Sequence, residues 1–430
     1  MARAATEEEK QYAHELLERA RCAMRAIEGY DQATVDRLCR AVAWAAANEQ
    51  TATRLAYMGV DESGLGDREG RPNKRFKILG ILRDALRQKS MGIIEEIPEK
   101  GLVKYAKPAG VIASIVPVTN AALTEPGNGI YALKCKDAII FSPHPGSRKT
   151  TLETVRIMRA CLKKYGAPED VFQCVETPSI PLAQQLMSIC DLTIATGGGA
   201  MVKAAYSSGK PAYGVGAGNA TMVIDETADI EEAARNTRLS KTSDNGSGCS
   251  ADGNLLVDAA IYGRFLEQLQ REHGYVCTQS EKQLLQAALW DEEGHRTINT
   301  IARPADKIAE IAGFRIPADK KFLVVEESRI GKEYPFSSEK LSPVLAIFQY
   351  SGFENALEMV KQIYEVGGKG HSCGIYSFSD DHIHQLALTA PVSRIMVRQP
   401  QSKANAGAFN NGMPMTSSMG CGIWGGNITN

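Results

Sequence analysis

From about residue 101 to the C-terminus, short apolar runs rich in β-branched residues alternate with stretches of helical periodicity. Runs such as "DAIIFSPHP" (137–145) and "DLTIATGGG" (191–199) end in proline or glycine, which is typical of strands. A helical stretch at 148–164 lies between them. Strand, helix and strand in this rhythm predict βαβ units and a parallel sheet. The alternation therefore predicts an α/β fold.

A second alternating set follows residue 250. It predicts strands at 253–258, 321–327, 342–350, 373–379 and 393–399, with helices near 260–290, 304–312 and 353–363. Residues 6–60 have helical periodicity throughout, and Asp31 is placed to cap the second helix of this region. A chain of 430 residues is long enough for two or three domains. We expect two α/β domains, the second beginning at the loop near residue 250.

Composition excludes several classes of function. With 49 Lys and Arg against 50 Asp and Glu, no net field draws the chain to nucleic acid or to a membrane. The N-terminus lacks the apolar core of a signal peptide, and no apolar run approaches the ~20 residues of a membrane span. The 10 cysteines form no CxxC pair, which argues against a disulfide framework and a zinc site. We expect a cytoplasmic protein without a metal.

Cys249 has unusual neighbours for a free cysteine. It lies in "KTSDNGSGCSADGN" (241–254), among glycine, serine and other polar residues, where it contributes little to a core. Free cysteines are usually buried and inert. The flanking residues let the backbone turn tightly around the thiol, which favours a reactive cysteine over a structural one.

Two glycine-rich turns follow predicted strands. "TGGGAMVKAAYSSGKP" (196–211) opens a helix, and a helix N-terminus with glycines can bind a phosphate. It lacks the GxGxxG pattern, so by itself it is equally well explained as turn chemistry. The cluster "YGVGAGN" (213–219) follows closely and favours a dinucleotide crevice at the carboxyl ends of neighbouring strands.

Seven motifs occur together in one order: "VPVTN" (116–120), "AIIFSPHP" (138–145), "ATGGGAMVKAAYSSGKPAYGVGAGN" (195–219), "SKTSDNGSGCS" (240–250), "EKLSPVLA" (339–346), "GGKGHSCGIYS" (367–377) and "MGCGIWGG" (419–426). Together they resemble the CoA-acylating branch of the aldehyde dehydrogenase superfamily. The resemblance implies an aldehyde dehydrogenase-like fold, with two Rossmann-type α/β domains and a small oligomerisation element. It places a cofactor-binding domain at 1–225 with a hairpin near 101–113, a catalytic domain at 226–395, and a C-terminal oligomerisation segment at 396–430.

The same resemblance assigns catalytic roles to three residues. Cys249 matches the nucleophile, whose adduct with an aldehyde loses hydride to a nicotinamide and leaves a thioester. Asn120 matches the oxyanion-hole asparagine, acting with the backbone N–H of Cys249. His371 matches a histidine near the site that deprotonates or positions CoA; a structural histidine explains it equally well. We expect the other nine cysteines to be structural, and Cys421, in "GCGIW", is the one whose role we leave open.

NAD or NADP is the cofactor that the resemblance implies, with coenzyme A as co-substrate. Glu339 matches a residue that binds the nicotinamide ribose. The other expected cofactor-binding residues are Pro117, Thr119, Ser142, His144, Pro145, Thr196, Gly197, Gly198, Val202, Gly214, Val215, Gly216 and Leu341. NAD-preferring members often have an acid after the "SPHP"-type strand; here Arg148 and Lys149 follow with no acid nearby in sequence, so the choice between NAD and NADP stays open.

A missing glutamate predicts the acyl acceptor. Hydrolytic relatives have a glutamate that activates water in the segment corresponding to "YGVGAGN", where this chain has Gly214. Without a general base, water attack on the thioester loses a factor of roughly 10²–10⁴. The thioester then survives until CoA takes the acyl group in a ping-pong cycle.

The substrate follows from the C-terminal run "GAFNNGMPMTSSMGCGIWGG", which resembles the sulfoacetaldehyde and succinate-semialdehyde members. We expect a small anionic aldehyde, with sulfoacetaldehyde first and succinate semialdehyde or acetaldehyde as alternatives. Candidate residues for its anionic group are Arg238, Lys241, Asn405 and the pair Asn410–Asn411; a solvated helix face also explains Arg238. The family suggests a homodimer or homotetramer. A hydrolytic enzyme and a non-catalytic assembly homologue are the competing interpretations.

Overall fold

The structure is a computed structural model and describes residues 3–421. The chain divides into two compact units: Met1–Gly64, Arg71–Val215 and Gly412–Met419 form the first, and Leu65–Gly70, Gly216–Asn411 and Gly420–Asn430 the second. Among the described residues, no helix combines the length and apolarity that a membrane span requires.

The first unit begins with helices and continues with alternating strands and helices. Its elements are α1 (Glu7–Ile27), α2 (Gln32–Ala47), α3 (Glu49–Ser63), α4 (Arg75–Leu86), β1 (Gly92–Ile97), β2 (Leu102–Ala106), β3 (Val111–Ile115), α5 (Thr124–Lys134), β4 (Ala138–Ser142), α6 (Arg148–Lys164), β5 (Phe172–Cys174), α7 (Ile180–Ile189), β6 (Leu192–Thr196), α8 (Gly199–Tyr206) and β7 (Ala212–Val215).

Local sequence explains the helix starts. Thr6 and Glu9 form a capping box at α1, and the Asp31 carboxylate accepts a hydrogen bond from the Thr34 backbone N–H at the start of α2, as predicted. Strands β3 to β7 pair in parallel in the order β5-β4-β3-β6-β7. Every residue of β3 and β4 is buried, because helices cover both faces of the sheet. The carboxyl ends of β3, β4 and β6 therefore meet at one edge.

The hairpin lies earlier in the chain than predicted. It consists of β1 and β2, which pair antiparallel over 92–106, whereas 111–115 is a central strand of the parallel sheet. The reason is visible in burial: both hairpin strands are largely exposed, while β3 is wholly buried. Exposed apolar side chains follow one another along the hairpin, namely Ile93, Ile94, Leu102, Val103 and Tyr105.

The second unit is built around a longer parallel sheet. Its elements are β8 (Thr221–Ile224), α9 (Ile230–Lys241), β9 (Asn254–Asp258), α10 (Tyr262–Arg271), β10 (Gly274–Val276), α11 (Gln279–Leu289), α12 (Ala305–Ala312), β11 (Phe322–Glu327), β12 (Val344–Tyr350), α13 (Phe353–Val366), β13 (Cys373–Tyr376), α14 (Asp380–Thr389), β14 (Ile395–Val397) and α15 (Gln401–Ala404). The strand order is β10-β11-β12-β9-β8-β13-β14.

The boundary between the units differs from the predicted one at residue 225. The chain enters the second unit after Val215, because β8 pairs with β9 and β13 near the centre of the second sheet. The predicted C-terminal segment is also divided: its residues up to Asn411 belong to the second unit, and Gly412–Met419 belong to the first. Most of the "GCGIWGG" motif lies outside the described residues.

Candidate active site

The first unit brings the predicted cofactor-binding residues to the carboxyl edge of its sheet. Ile115 pairs with Ser142 on one side and with Ala195 on the other, so the segments after β3, β4 and β6 lie side by side. The predicted residues in these segments are Pro117, Thr119, Ser142, His144, Pro145, Thr196, Gly197 and Gly198. The strand order changes direction between β3 and β6, and this is where α/β sheets bind ligands.

The glycines after β6 leave open space. A Cβ atom added at Gly198 or Gly199 would have no neighbour within 4 Å. Gly198 is the N-cap of α8 and supplies no side-chain cap, so the first N–H groups of the helix face outward unpaired by a side chain. Such an exposed, uncapped helix start fits a pyrophosphate. Val202 lies in the first turn of the same helix.

Asn120 is fixed by a residue that the sequence did not suggest. Its side-chain oxygen accepts a hydrogen bond from the Lys74 ammonium at 2.7 Å, in a short 3₁₀ turn after β3. Because the oxygen faces Lys74, the amide N–H₂ group faces the other way and is oriented as a donor. Lys74 thus settles the orientation that an oxyanion donor requires.

No acid closely follows β4 in the sequence, but packing brings one to the start of α6. Glu62, from the last turn of α3, accepts hydrogen bonds from the backbone N–H groups of Lys149 at 2.7 Å and Thr150 at 2.8 Å. Its carboxylate also accepts a bond from the Thr150 hydroxyl at 2.7 Å. Sequence reasoning missed Glu62 because it lies about 86 positions before α6 and reaches it only through the packing of α3 on α6.

Gly214 lies within β7, and aromatic and aliphatic side chains occupy the space beside it. A Cβ at Gly214 would lie 2.5 Å from the Tyr206 hydroxyl and 2.6 Å from a Val202 methyl group. The Gly214 backbone N–H donates to the Tyr206 hydroxyl at 2.9 Å. Val215 ends the strand, and Gly216 begins the second unit. The segment carries no carboxylate.

In the second unit, three of the predicted site residues lie at the amino edge of the sheet. Cys249 precedes β9, Glu339 precedes β12 and His371 precedes β13. A buried amide joins the same loops: the Asn219 side chain donates to the carbonyls of Ser337 at 3.0 Å and Gly367 at 3.1 Å.

The Asn219 oxygen accepts from Asn254 at 2.9 Å, and Asn254 in turn accepts from the Lys340 ammonium at 3.2 Å. We call Asn219, Asn254 and Lys340 the amide clamp. It joins the segments that precede β8, β9, β12 and β13.

The cysteine loop is held against neighbouring backbone. Asp244 and Asn245 adopt left-handed conformations in a 3₁₀ turn, and the Asp244 carboxylate accepts a bond from the Ser247 hydroxyl at 2.7 Å. A Cβ at Gly218 would lie 1.6 Å from the Cys249 carbonyl oxygen, and one at Gly246 would lie 2.6 Å from the Ser342 carbonyl. No residue other than glycine fits at these contacts.

Cys249 and His371 form the central contact of the site. The His371 Nε2 atom lies 3.0 Å from the Cys249 sulfur, and His371 Nδ1 lies 2.9 Å from the Ser372 hydroxyl. Burial, assisted by the positive charge of Arg394, lowers the pKa of His371 to about 3. Burial also raises the pKa of Cys249 to about 12, and nearby Glu339 and Cys421 act in the same direction while Arg394 opposes them. The pair is therefore a neutral thiol beside a neutral imidazole.

Arg394 is a third residue that sequence reasoning missed. It directly precedes β14, and its guanidinium donates to the Gly420 carbonyl at 3.3 Å and the Ser393 hydroxyl at 3.4 Å. Burial lowers its pKa, while Cys421 and Cys249 raise it. No ion pair of Arg394 with a carboxylate is found among the described residues, and its positive charge acts on Cys249, Cys421 and His371.

Glu339 and Leu341 both lie in the loop before β12. The Glu339 carboxylate accepts a hydrogen bond from the Gly218 N–H at 2.7 Å. Burial raises the pKa of Glu339, which the Gly218 N–H and the cations Arg296 and Lys241 oppose. Leu341 has a φ of 44°, a strained backbone conformation for a leucine. Both residues are at the same edge as Cys249.

Lys241 lies buried at the end of α9. Burial lowers the pKa of Lys241 to about 7, which the negative charge of Asp252 opposes. Burial likewise raises the pKa of Asp252 to about 7, and the Lys241 charge opposes that shift. Asn405 is buried beside α15, and neither atom of its side-chain amide has a hydrogen-bond partner among the described residues. Lys241 and Asn405 are thus both buried polar residues of the second unit.

The other two substrate candidates have different surroundings. Arg238 forms an ion pair with Glu272 at 2.7 Å, between α9 and α10. Asn410 is exposed, and the side chain of its neighbour Asn411 is bonded to the Ala404 carbonyl and to Gln399. The ion pair occupies Arg238, because a part-buried guanidinium bound to a carboxylate is costly to separate.

Comparison with known proteins accounts for this arrangement. The model of the aldehyde dehydrogenase family matches residues 2–315. The chain belongs to the aldehyde dehydrogenase family. This aldehyde dehydrogenase is 43% identical over 419 residues to a sulfoacetaldehyde dehydrogenase of Acholeplasma sp, covering 96% of this chain and 86% of the relative.

It is also 39% identical over 422 residues to the acylating sulfoacetaldehyde dehydrogenase of Bilophila wadsworthia, covering 96% and 90%. The crystal structure of an acetylating aldehyde dehydrogenase from Geobacillus thermoglucosidasius superposes with a TM-score of 0.94 at 37% identity, covering 98% of this chain and 93% of that one.

These similarities confirm the predicted fold and enzyme class. The α/β fold with parallel sheets is that of acylating aldehyde dehydrogenases, and the protein is an oxidoreductase of that branch, using NAD(P) and coenzyme A. The individual site residues remain predictions, and Glu62, Lys74, Ser372 and Arg394 join them from the structure alone.

Proposed function

We propose that this enzyme oxidises sulfoacetaldehyde to sulfoacetyl-CoA with NAD(P), through a thioester on Cys249. The observation that carries the proposal is the 3.0 Å contact between the Cys249 sulfur and His371 Nε2, at a site where the segment 213–219 has no carboxylate. A thiol with a base at hydrogen-bond distance is the arrangement that nucleophilic catalysis requires.

His371 accepts the thiol proton as the Cys249 sulfur bonds to the aldehyde carbon. The imidazole is neutral at working pH, so its Nε2 lone pair is available when Nδ1–H donates to the Ser372 hydroxyl. The carbonyl oxygen then carries negative charge and needs donors. The Asn120 amide N–H₂ group, oriented by Lys74, is the side-chain donor we propose for it.

The carboxyl edge of the first sheet fits a dinucleotide. The open space beside Gly198 and Gly199 and the uncapped start of α8 suit a pyrophosphate. Glu339 is the residue proposed to bind the nicotinamide ribose, once its carboxylate exchanges the Gly218 N–H for hydroxyl donors. When bound, the nicotinamide supplies the hydride acceptor that turns the cysteine adduct into a thioester.

Coenzyme A then takes the acyl group because the segment 213–219 has no carboxylate to activate water. Tyr206 and Val202 fill the space beside Gly214, where hydrolytic relatives are expected to have their glutamate. After the proton taken from Cys249 has left His371 for solvent, His371 accepts the proton of the CoA thiol at Nε2 and returns it to the departing Cys249 sulfur. A thiol nucleophile needs less help from a base than water does, so the thioester is transferred rather than hydrolysed.

An anionic substrate is supported by relatives and by charge. Both curated relatives described above are sulfoacetaldehyde dehydrogenases. Lys241 and Asn405 are buried polar groups, and we propose them as the residues that bind the sulfonate. Arg238 is bound to Glu272 and Asn410 is exposed, so we assign them no part in this binding.

We further propose that two copies associate through the hairpin of β1 and β2. Hairpins of two strands are marginal alone, and its apolar side chains are about half exposed, from 40% at Ile94 to 60% at Tyr105. A second copy would bury them.

The cysteines among residues 3–421 are all free thiols. Free thiols suit a reducing compartment, which supports our proposal of a cytoplasmic location.

The test is cofactor reduction by the purified protein with sulfoacetaldehyde, succinate semialdehyde or acetaldehyde, each with and without CoA. We expect turnover to require CoA and kcat/KM to be highest for sulfoacetaldehyde. Turnover of equal rate without CoA would contradict the argument from the missing base. A preference for acetaldehyde would contradict the anionic substrate while leaving the acylating chemistry intact.

A further inference from the structure

We propose that Glu62 makes this enzyme select NAD over NADP, by binding the adenosine ribose hydroxyls and repelling a 2′-phosphate. The inference rests on the proposed dinucleotide site at the carboxyl edge of the first sheet. It concerns a residue from outside that sheet, on the last turn of α3.

Glu62 is at the position where the adenosine ribose is expected. The first sheet has the order β5-β4-β3-β6-β7, in which β3 is followed along the chain by β4. In dinucleotide-binding sheets, the second strand along the chain ends beside the adenosine ribose. That strand is β4, and the start of α6 follows it after only 5 residues, 143–147. The Glu62 carboxylate lies on the first backbone N–H groups of α6.

The helix start is therefore unavailable to a phosphate. A 2′-phosphate would use the exposed N–H groups and positive dipole end of α6. Glu62 already accepts from Lys149 N–H at 2.7 Å and from Thr150 N–H at 2.8 Å, and it places a negative charge there. A 2′-phosphate at the start of α6 would be repelled by the Glu62 carboxylate, because both groups are negative. It would also find these two backbone N–H donors already bound to Glu62.

The same carboxylate can still bind hydroxyl groups. Its Oε2 atom accepts from Thr150 twice, through the backbone and the hydroxyl, while Oε1 accepts from Lys149 alone within residues 3–421. A carboxylate oxygen has two lone pairs, so Oε1 retains capacity for a ribose hydroxyl donor. NAD offers that donor, whereas NADP has a phosphate in its place.

The neighbouring cations do not cancel this effect. The Arg148 guanidinium is directed to the Glu176 carbonyl, and the Lys149 side chain is exposed to solvent. His144 accepts a bond from the Gly146 N–H at Nδ1, and burial lowers its pKa, so it carries no positive charge at neutral pH. Glu62 is the charged side chain bound to the helix start itself.

A structural role alone would also explain a carboxylate at a helix start, since Glu62 caps α6. The variant Glu62→Gln separates the two roles, because glutamine keeps a hydrogen-bond acceptor and removes the charge. Glu49→Gln, at the opposite end of α3 and on an exposed side chain, is the matched control. Thermal unfolding of both variants checks that the fold is retained.

The measurement is equilibrium binding of NAD+ and NADP+ by titration calorimetry on the full chain without aldehyde or CoA. We expect the wild type to bind NAD+ at least about tenfold more tightly, and Glu62→Gln to reduce that preference by about tenfold. Glu49→Gln should retain the wild-type ratio. Equal binding of both dinucleotides by the wild type, or an unchanged ratio in Glu62→Gln, would overturn the proposal.

Binding of neither dinucleotide would also overturn it, together with the assignment of the cofactor edge. Because the titration contains no aldehyde, a wrong substrate leaves its outcome unchanged. The failure of the sulfoacetaldehyde proposal is thus distinguishable from the failure of this one.

Discussion

The two sheets of this enzyme use glycine in opposite ways. At the carboxyl edge of the first sheet, Gly198 and Gly199 have open space where a side chain would be. At the amino edge of the second sheet, Gly218 and Gly246 are in contact with other backbone segments. Glycine leaves open space in the first case, and in the second it lets two backbone segments of the same chain lie in contact. Similar glycine-rich sequences thus have different functions, and only packing distinguishes them.

The largest effect is expected at the nucleophile of the amino edge. Cys249→Ser replaces a thiol with a far weaker nucleophile, so we expect kcat to fall by roughly 10³-fold or more in cofactor-reduction assays. Cys22→Ser, at an exposed cysteine of α1, should retain wild-type activity. Activity of Cys249→Ser near the wild-type level would contradict the proposal that Cys249 is the nucleophile.

The next prediction concerns the closed glycines, by which we mean Gly218 and Gly246, where an added Cβ would meet backbone atoms; at an open glycine it would meet none within 4 Å. Gly218→Ala puts a methyl group 1.6 Å from the Cys249 carbonyl oxygen, so the cysteine loop must shift. We expect about a 100-fold loss of kcat/KM and a free energy of unfolding lower by about 1–3 kcal/mol. Gly216→Ala, where a Cβ has no neighbour within 4 Å, is the matched control for stability. Equal stability of the two variants would contradict the distinction between closed and open glycines.

Gly198→Ala tests the open glycines with a smaller effect. The added methyl meets no protein atom, so the melting temperature should stay within about 1 °C of the wild type. A pyrophosphate placed against the same backbone would be displaced, and we expect KM for the dinucleotide to rise about tenfold with kcat little changed. A normal KM would mean that the cofactor binds elsewhere.

The smallest effect concerns pH. Because burial lowers the folded-state pKa of His371 to about 3, below its unfolded value, the unfolded state binds the extra proton as pH falls below 6.5. His371 should therefore contribute about 1–2 kcal/mol to the loss of stability between pH 7 and pH 5. Denaturant unfolding of His371→Asn should show a correspondingly smaller loss. The exposed His295, replaced by asparagine, should leave the wild-type dependence unchanged.

The sequence predicted the fold class well because its signal is local. Helix 148–164 and strand 322–327 follow from periodicity and composition within a few residues. The hairpin was placed too late, since the run 103–119 contains an exposed strand and a buried one that only the short segment "KPAG" (107–110) separates. The boundary at Val215 was also missed, because two strands from different sheets follow each other within ten residues.

For the site, the sequence supplied the residues that motifs carry and missed those that packing brings in. General rules place ligands at the carboxyl ends of strands, which suits Gly197 and Gly198. Cys249 and His371 lie before their strands: the polar neighbours of Cys249 indicated a reactive thiol, whereas the proposed role of Cys249 and the choice of His371 came from the resemblance. Glu62, Lys74 and Arg394 come from elements distant in sequence from the groups they contact, and no local pattern distinguishes them from surface charges.

The amide clamp has a consequence for how the enzyme fails. Since Asn219, Asn254 and Lys340 bind segments before four strands at once, none of those segments can open alone without leaving buried donors unpaired. Local fluctuations at this edge are therefore suppressed, and backbone amides there should exchange with deuterium only through cooperative opening of the whole unit. Heating should thus produce no partly unfolded species at this edge before the second sheet as a whole unfolds.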